Sequence, residues 1–387
     1  MPELRPRIPK ESDFTSPLRS PAVAARVGLW LGICFLVAFV TGLYSHLAQV
    51  ADPWFPVPAE PSWTYRVTQG VHLAAGTAAV PLLLVKLWSV FPKFFARPPW
   101  HRGRALLLHG VERGSIGVLV AASIFQLASG LANASHWYPW RFSFVRTHYA
   151  IGWVVIGAML VHVAVKLPVI SQALRHGLED SGLDRSSMVE STSGLSRRGL
   201  LQSTVVAAAL AVVSTAGSTV PALRRVSVFG VRSGAGPGGI PINRSARAAG
   251  VEATALAGFA VTLVRGGRRL QLTTEELSAM PQHTAVLPIA CVEGWSATGE
   301  WSGVRVRDLV ALLGAPASSA VLVRSLQSRG SYSQSRLPAN FVADGDTLLA
   351  LRLGGEPLSL DHGYPCRIIA PNRPGVLQTK WVSHLEV

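Results

Sequence analysis

The sequence predicts a multi-domain chain: an all-α transmembrane four-helix bundle plus a fifth anchor helix, followed by a β-rich α+β domain. Three observations predict it. Of 387 residues, 49% are hydrophobic and only 15% charged, with a mean hydropathy of +0.33, too apolar for an ordinary soluble chain of this length. Five stretches carry no Asp, Glu, Lys or Arg: Val27 to Val50, Val67 to Val85, Gly114 to Trp140, Tyr149 to Val165 and Gly199 to Leu223. Each is close to the roughly 20 residues that cross a bilayer. From Gly258 onward the pattern changes to short alternating or β-branched runs broken by Gly and Pro, the signature of strands. The expected boundaries are a cytoplasmic tail at 1–21, a membrane domain at 22–176, a cytoplasmic linker at 177–198, a fifth helix at 199–223, a second linker at 224–257 and the β-rich domain at 258–387.

The net charge of +15 is explained by topology rather than by nucleic-acid binding. Arg5, Arg7, Lys10, Arg19 and Arg26 precede the first span; Lys93, Arg97, Arg102, Arg104 and Arg113 separate the second from the third; Lys166, Arg175, Arg185, Arg197 and Arg198 follow the fourth. The alternate loops carry only Arg66, then Arg141 and Arg146. This asymmetry places the N-terminus in the cytoplasm of a multi-pass protein of the bacterial cytoplasmic membrane, and everything after the fifth span outside.

Within the fourth span, His148 and His162 stand 14 positions apart. That spacing puts both imidazoles on one helix face, about 21 Å apart along the axis. Imidazole is the commonest metal ligand, and ionisable groups at bilayer depth are costly, so the pair points to two b hemes, each needing two histidines at one level. His46 ends the first span, His72 begins the second and His148 begins the fourth, all near the outer face; His109 leads into the third and shares the inner side with His162. The outer heme is assigned to His72 and His148, because His72 is deeper in its helix than His46. The inner heme is assigned to His109 and His162. His46 stays a reserve ligand or quinone-site residue, and His101, His136 and His176 fall in polar loops as solvated histidines.

With those residues placed, the region 22–176 resembles the four-helix cytochrome b subunits of formate dehydrogenases and related b-type cytochromes. The resemblance implies two hemes and exchange of electrons with quinone or quinol in the membrane. That family takes its inner partner histidine from the first helix, whereas Val27 to Phe35 here contains none, which is why His109 is chosen.

A polar stretch, Gly177 to Leu195, leads into Ser196-Arg197-Arg198-Gly199-Leu200-Leu201-Gln202 and an apolar run rich in Ala, Val, Ser and Thr. Twin arginines before such a run resemble a signal read by the Tat translocase, which moves folded domains; the plain alternative is an ordinary positive-inside anchor. Val226 to Gly239, with five glycines around Pro237, reads as a linker, since those glycines do not sit between a strand and a helix as a phosphate-binding fingerprint requires. Beyond it, Phe259 to Val264, Val286 to Ile289, Val321 to Val323, Leu348 to Leu353 and Arg367 to Ile369 read as strands, and Val306 to Leu313 as one amphipathic helix.

There are three cysteines. Cys34 lies in the first span as packing. A disulfide between Cys291 and Cys366 is open to an exported domain, yet Cys366 sits in an apolar strand sequence, whereas Cys291 ends the run Ala285 to Ala290 and opens a loop, where a thiolate can reach a cofactor.

Cys291-Val292-Glu293-Gly294-Trp295-Ser296, then Trp301-Ser302-Gly303-Val304, then His362-Gly363-Tyr364-Pro365-Cys366-Arg367, Pro371, Gly375 and Lys380-Trp381 resemble the molybdopterin-binding domain of the sulfite oxidase superfamily, most of all the periplasmic methionine sulfoxide reductase catalytic subunit. The resemblance implies a molybdenum–molybdopterin cofactor whose metal takes Cys291 as its thiolate. It implies that His362 and Arg367 contact the pterin, that Gln378, Thr379 and Lys380 hold the phosphate end, and that Ser325 stands at a pocket position. The family's N-terminal pterin-contacting segment is not recognisable; Ile240 to Ser245 stands in its place, with Asn243 and Arg244 as donors, or else belongs to the linker. The arginine cluster that sulfite oxidases place after the cysteine is absent, Val292 and Glu293 standing there instead. Sulfite, a dianion, needs such cations, so oxygen-atom transfer on an S-oxide or N-oxide is favoured. The expectation is a membrane-bound molybdenum oxidoreductase joining a quinone pool to a small-molecule substrate. The alternatives are substrate oxidation in the reverse direction and a membrane cytochrome whose exterior domain binds without catalysis.

Overall fold

The computed structural model describes residues 9–50, 53–96, 99–100, 103–188, 194–229, 237–330 and 332–387. His101, Arg5, Arg7, Arg97, Arg102, Gly230, Gly234 and Gly236 lie outside the described residues. The chain divides into two compact units, one made of Met1–Val40, Val71–Ala216 and Val226–Phe229, the other of Thr41–Gly70, Gly217–Arg225 and Gly230–Val387.

Among the described residues, five helices are long and apolar enough to cross a membrane. They are α1 (Pro21–Gln49), α2 (Thr64–Val90), α3 (Gly103–Ala134), α4 (Phe144–Arg175) and α5 (Arg197–Ala216). Val23, Leu31 and Phe35 of α1 pack with Leu82 and Leu83 of α2, Ala122 of α3 and Val155 of α4 in one buried cluster. Leu84, Val161 and Leu210 face outward, the pattern of helices whose solvent is hydrocarbon. Two spans end earlier than their apolar runs. The third stops at Ala134, where the Trp137 amide closes on the Ala132 carbonyl (2.8 Å) and His136 takes a left-handed φ of 55°, so 135–136 is a turn and 137–140 lies outside the helix. The fifth stops at Ala216, ahead of Gly217 and Pro221.

The basic residues singled out in the sequence make contacts near the start of α1, α3 and α5 and the end of α2 and α4. Arg26 donates to the carbonyls of Ala173 (3.3 Å) and His176 (2.8 Å), and Arg113 to that of Phe94 (3.0 Å). Lys166 pairs with Glu112, and Arg185 with Glu11. Arg197, the first of the twin arginines, is buried, pairs with Asp184 and donates to the carbonyls of Leu178 (3.2 Å) and Asp180 (3.0 Å).

The second unit is β-rich. One sheet has the order β2-β1-β10-β5-β6, formed by β1 (Ala260–Arg265), β2 (Arg268–Thr273), β5 (Val321–Ser325), β6 (Gln334–Leu337) and β10 (Val382–Glu386), with β1 and β10 parallel and the remaining pairs antiparallel. The other runs β3-β4-β7-β8 from β3 (His283–Ala290), β4 (Ser296–Arg305), β7 (Leu348–Leu353) and β8 (Glu356–Pro357), and β9 (Arg367–Ile369) pairs with β7. Short helices α6 (Ala246–Ala249), α7 (Thr274–Ala279), α8 (Val306–Leu312) and α9 (Ala339–Ala343) accompany them. All five strand runs and the amphipathic helix expected from the sequence form.

The larger core joins Val261 and Leu263 of β1, Val323 of β5 and Leu385 of β10 with Leu349 of β7, Ile368 of β9 and Leu309 of α8. A second core covers the other face of β3, β4 and β7, with Leu287, Trp301, Leu348 and Ala350 around Cys291 and Trp295. The strand β7 is buried on both faces over Leu348–Leu351, and for that reason reads as an apolar run up to the exposed Arg352. Part of the stretch read as a linker is also core: Ile240 belongs to the second cluster, while Ala246, Ala249 and Val251 pack on Trp381. Its Gly- and Ala-rich composition hid this, because small residues pack closely without an apolar period.

Candidate active site

Cys291 follows the last residue of β3, and its position is fixed by a tight turn. Its amide donates to the Trp295 carbonyl (2.9 Å), and the Gly294 amide donates to its own carbonyl (3.0 Å). The thiol is 1% exposed and donates to Glu293 Oε2 (3.4 Å), which also accepts from Trp295 Nε1 (3.0 Å). Burial, and then the Glu293 carboxylate, push the thiol well above its ordinary range. A thiolate there requires a strong local positive charge, which a bound metal supplies. All three cysteines are free, so the Cys291–Cys366 disulfide does not form. Cys366 is instead a buried strand residue whose thiol donates to the Val382 carbonyl (3.4 Å).

Beside Cys291 lies a pocket lined also by Ile289, Trp295, His362, Arg367, Gly375 and Lys380, and on another side by Ile240, Pro241 and Asn243. Four sequence-predicted residues, Cys291, His362, Arg367 and Lys380, thus converge, although 89 positions separate the first from the last (380 minus 291). Asn243 joins them. The stretch Ile240–Asn243 therefore contributes to the pocket wall.

His362 Nε2 lies 3.0 Å from the Ile240 carbonyl and Nδ1 lies 2.9 Å from Ser359 Oγ. Burial, then the Arg367 charge, pull its imidazole down to about 4, so it is neutral at pH 7. Arg367 donates to the carbonyls of His362 (3.0 Å) and Gln378 (3.1 Å), and its guanidinium lies 5.1 Å from the Trp301 ring centroid. Lys380 Nζ donates to the carbonyls of Arg244 (2.9 Å) and Asp361 (2.7 Å). Burial lowers Arg367 to about 9; burial, then the Arg367 charge, lower Lys380 to about 7. The two cations approach because Gly363, at φ +110°, has no side chain: a Cβ there would lie 3.0 Å from that of Lys380 and 3.1 Å from that of Arg367.

This donor set fits an anionic, phosphate-bearing cofactor. Among the described residues Arg367 and Lys380 have no carboxylate partner, and the buried Arg367 Nε and Trp301 Nε1 have no hydrogen-bond partner. Buried cations held only by carbonyls are costly, and an incoming anion would relieve them. A single soft thiolate suits a metal whose other sulfur ligands come with the cofactor. Among the described residues no group of three His, Cys, Asp or Glu side chains converges on a metal site.

Three expected contacts take other roles. Gln378 donates to the carbonyls of Ala370 (3.4 Å) and Arg373 (3.0 Å), Thr379 pairs with Ser335 (2.7 Å), and Ser325 donates to the Lys380 carbonyl (2.7 Å). These side chains support the pocket rather than line it, in a stretch that bends at Gln378, Lys380 and Trp381, the last with a left-handed φ of 52°. Sequence reasoning missed Glu293 as the partner of the thiol and Trp295 as the partner of the Cys291 amide and of Glu293; their only signal was their place within four residues of Cys291.

In the first unit, His72 and His148 face each other with ring centroids 6.2 Å apart. Such a facing pair of imidazoles could hold one metal ion between them. His72 Nδ1 lies 2.8 Å from the Ala38 carbonyl, and His148 Nδ1 3.2 Å from Ser129 Oγ, second contacts of the kind that orient a ligating ring. His162 lies within electrostatic reach of Lys86, Lys166, Glu112 and Lys93 and, among the described residues, makes no ring contact with His109. His46 is half-buried on the last turns of α1, inside the second unit. His136 is exposed at its turn, and His176 pairs with Asp180 (2.8 Å).

The second unit thus contains a sulfite oxidase-type molybdopterin domain: residues 257–387 match the family described as oxidoreductase molybdopterin binding domain. Among curated proteins, the chain is 31% identical over 115 residues to "Putative protein-methionine-sulfoxide reductase subunit YedZ1" of Azospira oryzae, covering 30% of this chain and 43% of that one. It is 26% identical over 148 residues to mitochondrial sulfite oxidase of Mus musculus, covering 32% and 27%. Of solved structures, the sulfane dehydrogenase SoxCD of Paracoccus pantotrophus is similar at 24% identity over 34% of this chain and 38% of that one, with a TM-score of 0.31. The chain spans less than half the length of these relatives.

Proposed function

We propose that the protein is a membrane-bound molybdenum oxidoreductase that passes electrons between a quinone pool, two b hemes and an extracytoplasmic molybdenum centre, with reduction of an S-oxide or N-oxide as its chemistry. The overall balance is one quinol and one S-oxide giving one quinone, one sulfide and one water. The observation that carries this reading is the convergence of Cys291, Arg367 and Lys380 in one buried pocket of a molybdopterin-type domain. Once bound, the cofactor supplies oxygen-atom transfer and the hemes one-electron carriage.

The chain's own residues bind and orient. Cys291 gives its thiolate; Arg367 and Lys380 hold the anionic end; His362, neutral, is oriented by Ile240 and Ser359; Asn243 closes the pocket from the preceding segment. Glu293 puts a carboxylate beside the thiol and disfavours a dianionic substrate such as sulfite, which supports a neutral oxide. The paired rings of His72 and His148 support the outer heme, and His109 with His162 remains the assignment for the inner one. The alternation of basic loops supports a cytoplasmic N-terminus and an exported second unit, with Arg197 and Arg198 as the Tat-read pair.

The test is metal analysis of the detergent-solubilised protein. We expect about two hemes per molybdenum, following the two-histidines-per-level count. A preparation with heme and no molybdenum would refute the catalytic reading and leave a cytochrome with a binding domain.

A further inference from the structure

The turn that carries Cys291 closes the β3–β4 hairpin, in which Ala290 pairs with Ser296. It is held from outside the hairpin by the chain that leaves α5, which belongs to the same second unit. The Ser296 amide donates to the Ser218 carbonyl (2.8 Å), and the Thr219 hydroxyl donates to the Gly294 carbonyl (3.1 Å). These two bonds flank Trp295, the residue whose carbonyl accepts the Cys291 amide and whose indole shares Glu293 Oε2 with the thiol. Ser218, Gly294 and Ser296 are all buried, so each bond made here replaces one that water does not supply.

Thr219 is itself fixed on its other sides. Arg66, in the first turn of α2, donates to the Thr219 carbonyl (3.1 Å) and to the Thr298 hydroxyl on β4 (3.1 Å). The Thr219 methyl lies against Gly70, one turn further along the helix, where a Cβ would come within 3.0 Å of it. With its carbonyl and methyl held, the side chain presents its hydroxyl to Gly294. Thr41–Gly70, Gly217–Arg225 and Gly230–Val387 form one compact unit, so the strap and the turn it holds share one frame.

We propose, on the reading of Cys291 as the metal thiolate, that Thr219 is a positioning residue for that sulfur: the strap Ser218–Thr219 holds the Cys291 turn closed. The chain that emerges from α5 is thereby part of the support of the site as well as the tether of the domain. Losing the Thr219 donor leaves the buried Gly294 carbonyl unsatisfied and lets the turn open locally, with the rest of the unit intact.

The test labels the detergent-solubilised full chain, produced without molybdopterin, with iodoacetamide and reads each cysteine by peptide mass spectrometry. Cys366, buried in the other core of the same unit, is the internal reference. Thr219→Val keeps the shape and the methyl but loses the donor. Cys291 should then label about tenfold faster than in wild type with Cys366 unchanged, the scale of one lost hydrogen bond in a local open–closed equilibrium. Thr219→Ser, which keeps the donor, should label Cys291 within about twofold of wild type. Wild-type labelling of Cys291 in Thr219→Val overturns the proposal, as does a serine variant that labels as fast as the valine one, or an equal rise at Cys291 and Cys366, which marks a merely structural residue. If the valine variant fails to fold, Arg66→Ala, which releases the Thr219 carbonyl, decides in its place: a rise confined to Cys291 supports the strap, and wild-type labelling or an equal rise at Cys366 overturns it. In the molybdenum-loaded protein reduced with dithionite, Thr219→Val should also shift the molybdenum(V) EPR spectrum, and a spectrum identical to wild type overturns the proposal. A chain that labels as expected but binds no molybdenum overturns the thiolate reading instead, and leaves the strap as the holder of a plain buried thiol.

Discussion

Lys380 offers a direct measure of how far the pocket depends on its cofactor. Buried beside Arg367, and only partly offset by the Asp361 carboxylate, it has a folded-state value of about 7, against an ordinary 10.5. Between those values the unfolded chain binds a proton that the folded, cofactor-free protein lacks. Stability therefore rises with pH across the window from 7 to 10.5, and is lost as pH falls toward 7. At about 1.4 kcal/mol per unit, the penalty is about 4 kcal/mol near pH 7.5 and about 2 kcal/mol near pH 9, a gain of about 2 kcal/mol over that interval. For a unit of this size that is a rise in melting temperature of about 4–8 °C. The assay is tryptophan-fluorescence melting of detergent-solubilised protein produced without molybdopterin, at those two pH values. Lys380→Met should flatten the dependence, and cofactor loading should do the same, because an anion beside the ammonium restores its ordinary range. A slope that persists in Lys380→Met, or a flat profile in the cofactor-free wild type, refutes the account of the pocket as a set of uncompensated cations.

His362, held near 4, gives a separate acid window: stability should decline as pH falls from 6.5 toward 4, and His362→Gln should remove that decline in the same melting assay. Cys291→Ser should abolish molybdenum binding and turnover while the heme spectrum stays intact; wild-type activity in that variant removes the thiolate assignment. His162→Ala should lose about half the heme and His136→Ala none, since each heme needs its own histidine pair, and pyridine hemochrome titration checks it. Gly303→Ala should destabilise the second unit by about 3 kcal/mol or more, because overpacking against rigid backbone cannot relax. A Cβ there would lie 2.1 Å from the Leu349 carbonyl oxygen. An unchanged melting temperature would remove that claim.

Much of this architecture was legible in one dimension. The five long helices declare themselves by uninterrupted apolar length, the signal expected of a helix whose surroundings are hydrocarbon. The strands β1, β3, β5, β7 and β9 and helix α8 were equally readable, since they are buried enough to demand apolar or β-branched runs. The strand β4 escaped notice. Its Gly299 and Gly303 let neighbouring groups approach closely, and its Ser, Thr and Glu residues break the alternation. The edge strand β2 also escaped, because Arg268 and Arg269 face solvent.

The sequence by itself singled out Cys291, His362, Arg367 and Lys380, which stand in motifs whose order and residue types survive without coordinates. Only the tertiary structure decided which of their neighbours face the pocket. It turned Gln378, Thr379 and Ser325 into supports, brought Ile240 and Asn243 in as wall, and set Tyr65 against Asn372 across more than 300 residues. The physical reason is that a side chain's type is local, whereas its direction and its partners are fixed by packing and by hydrogen bonds that close over long stretches of chain.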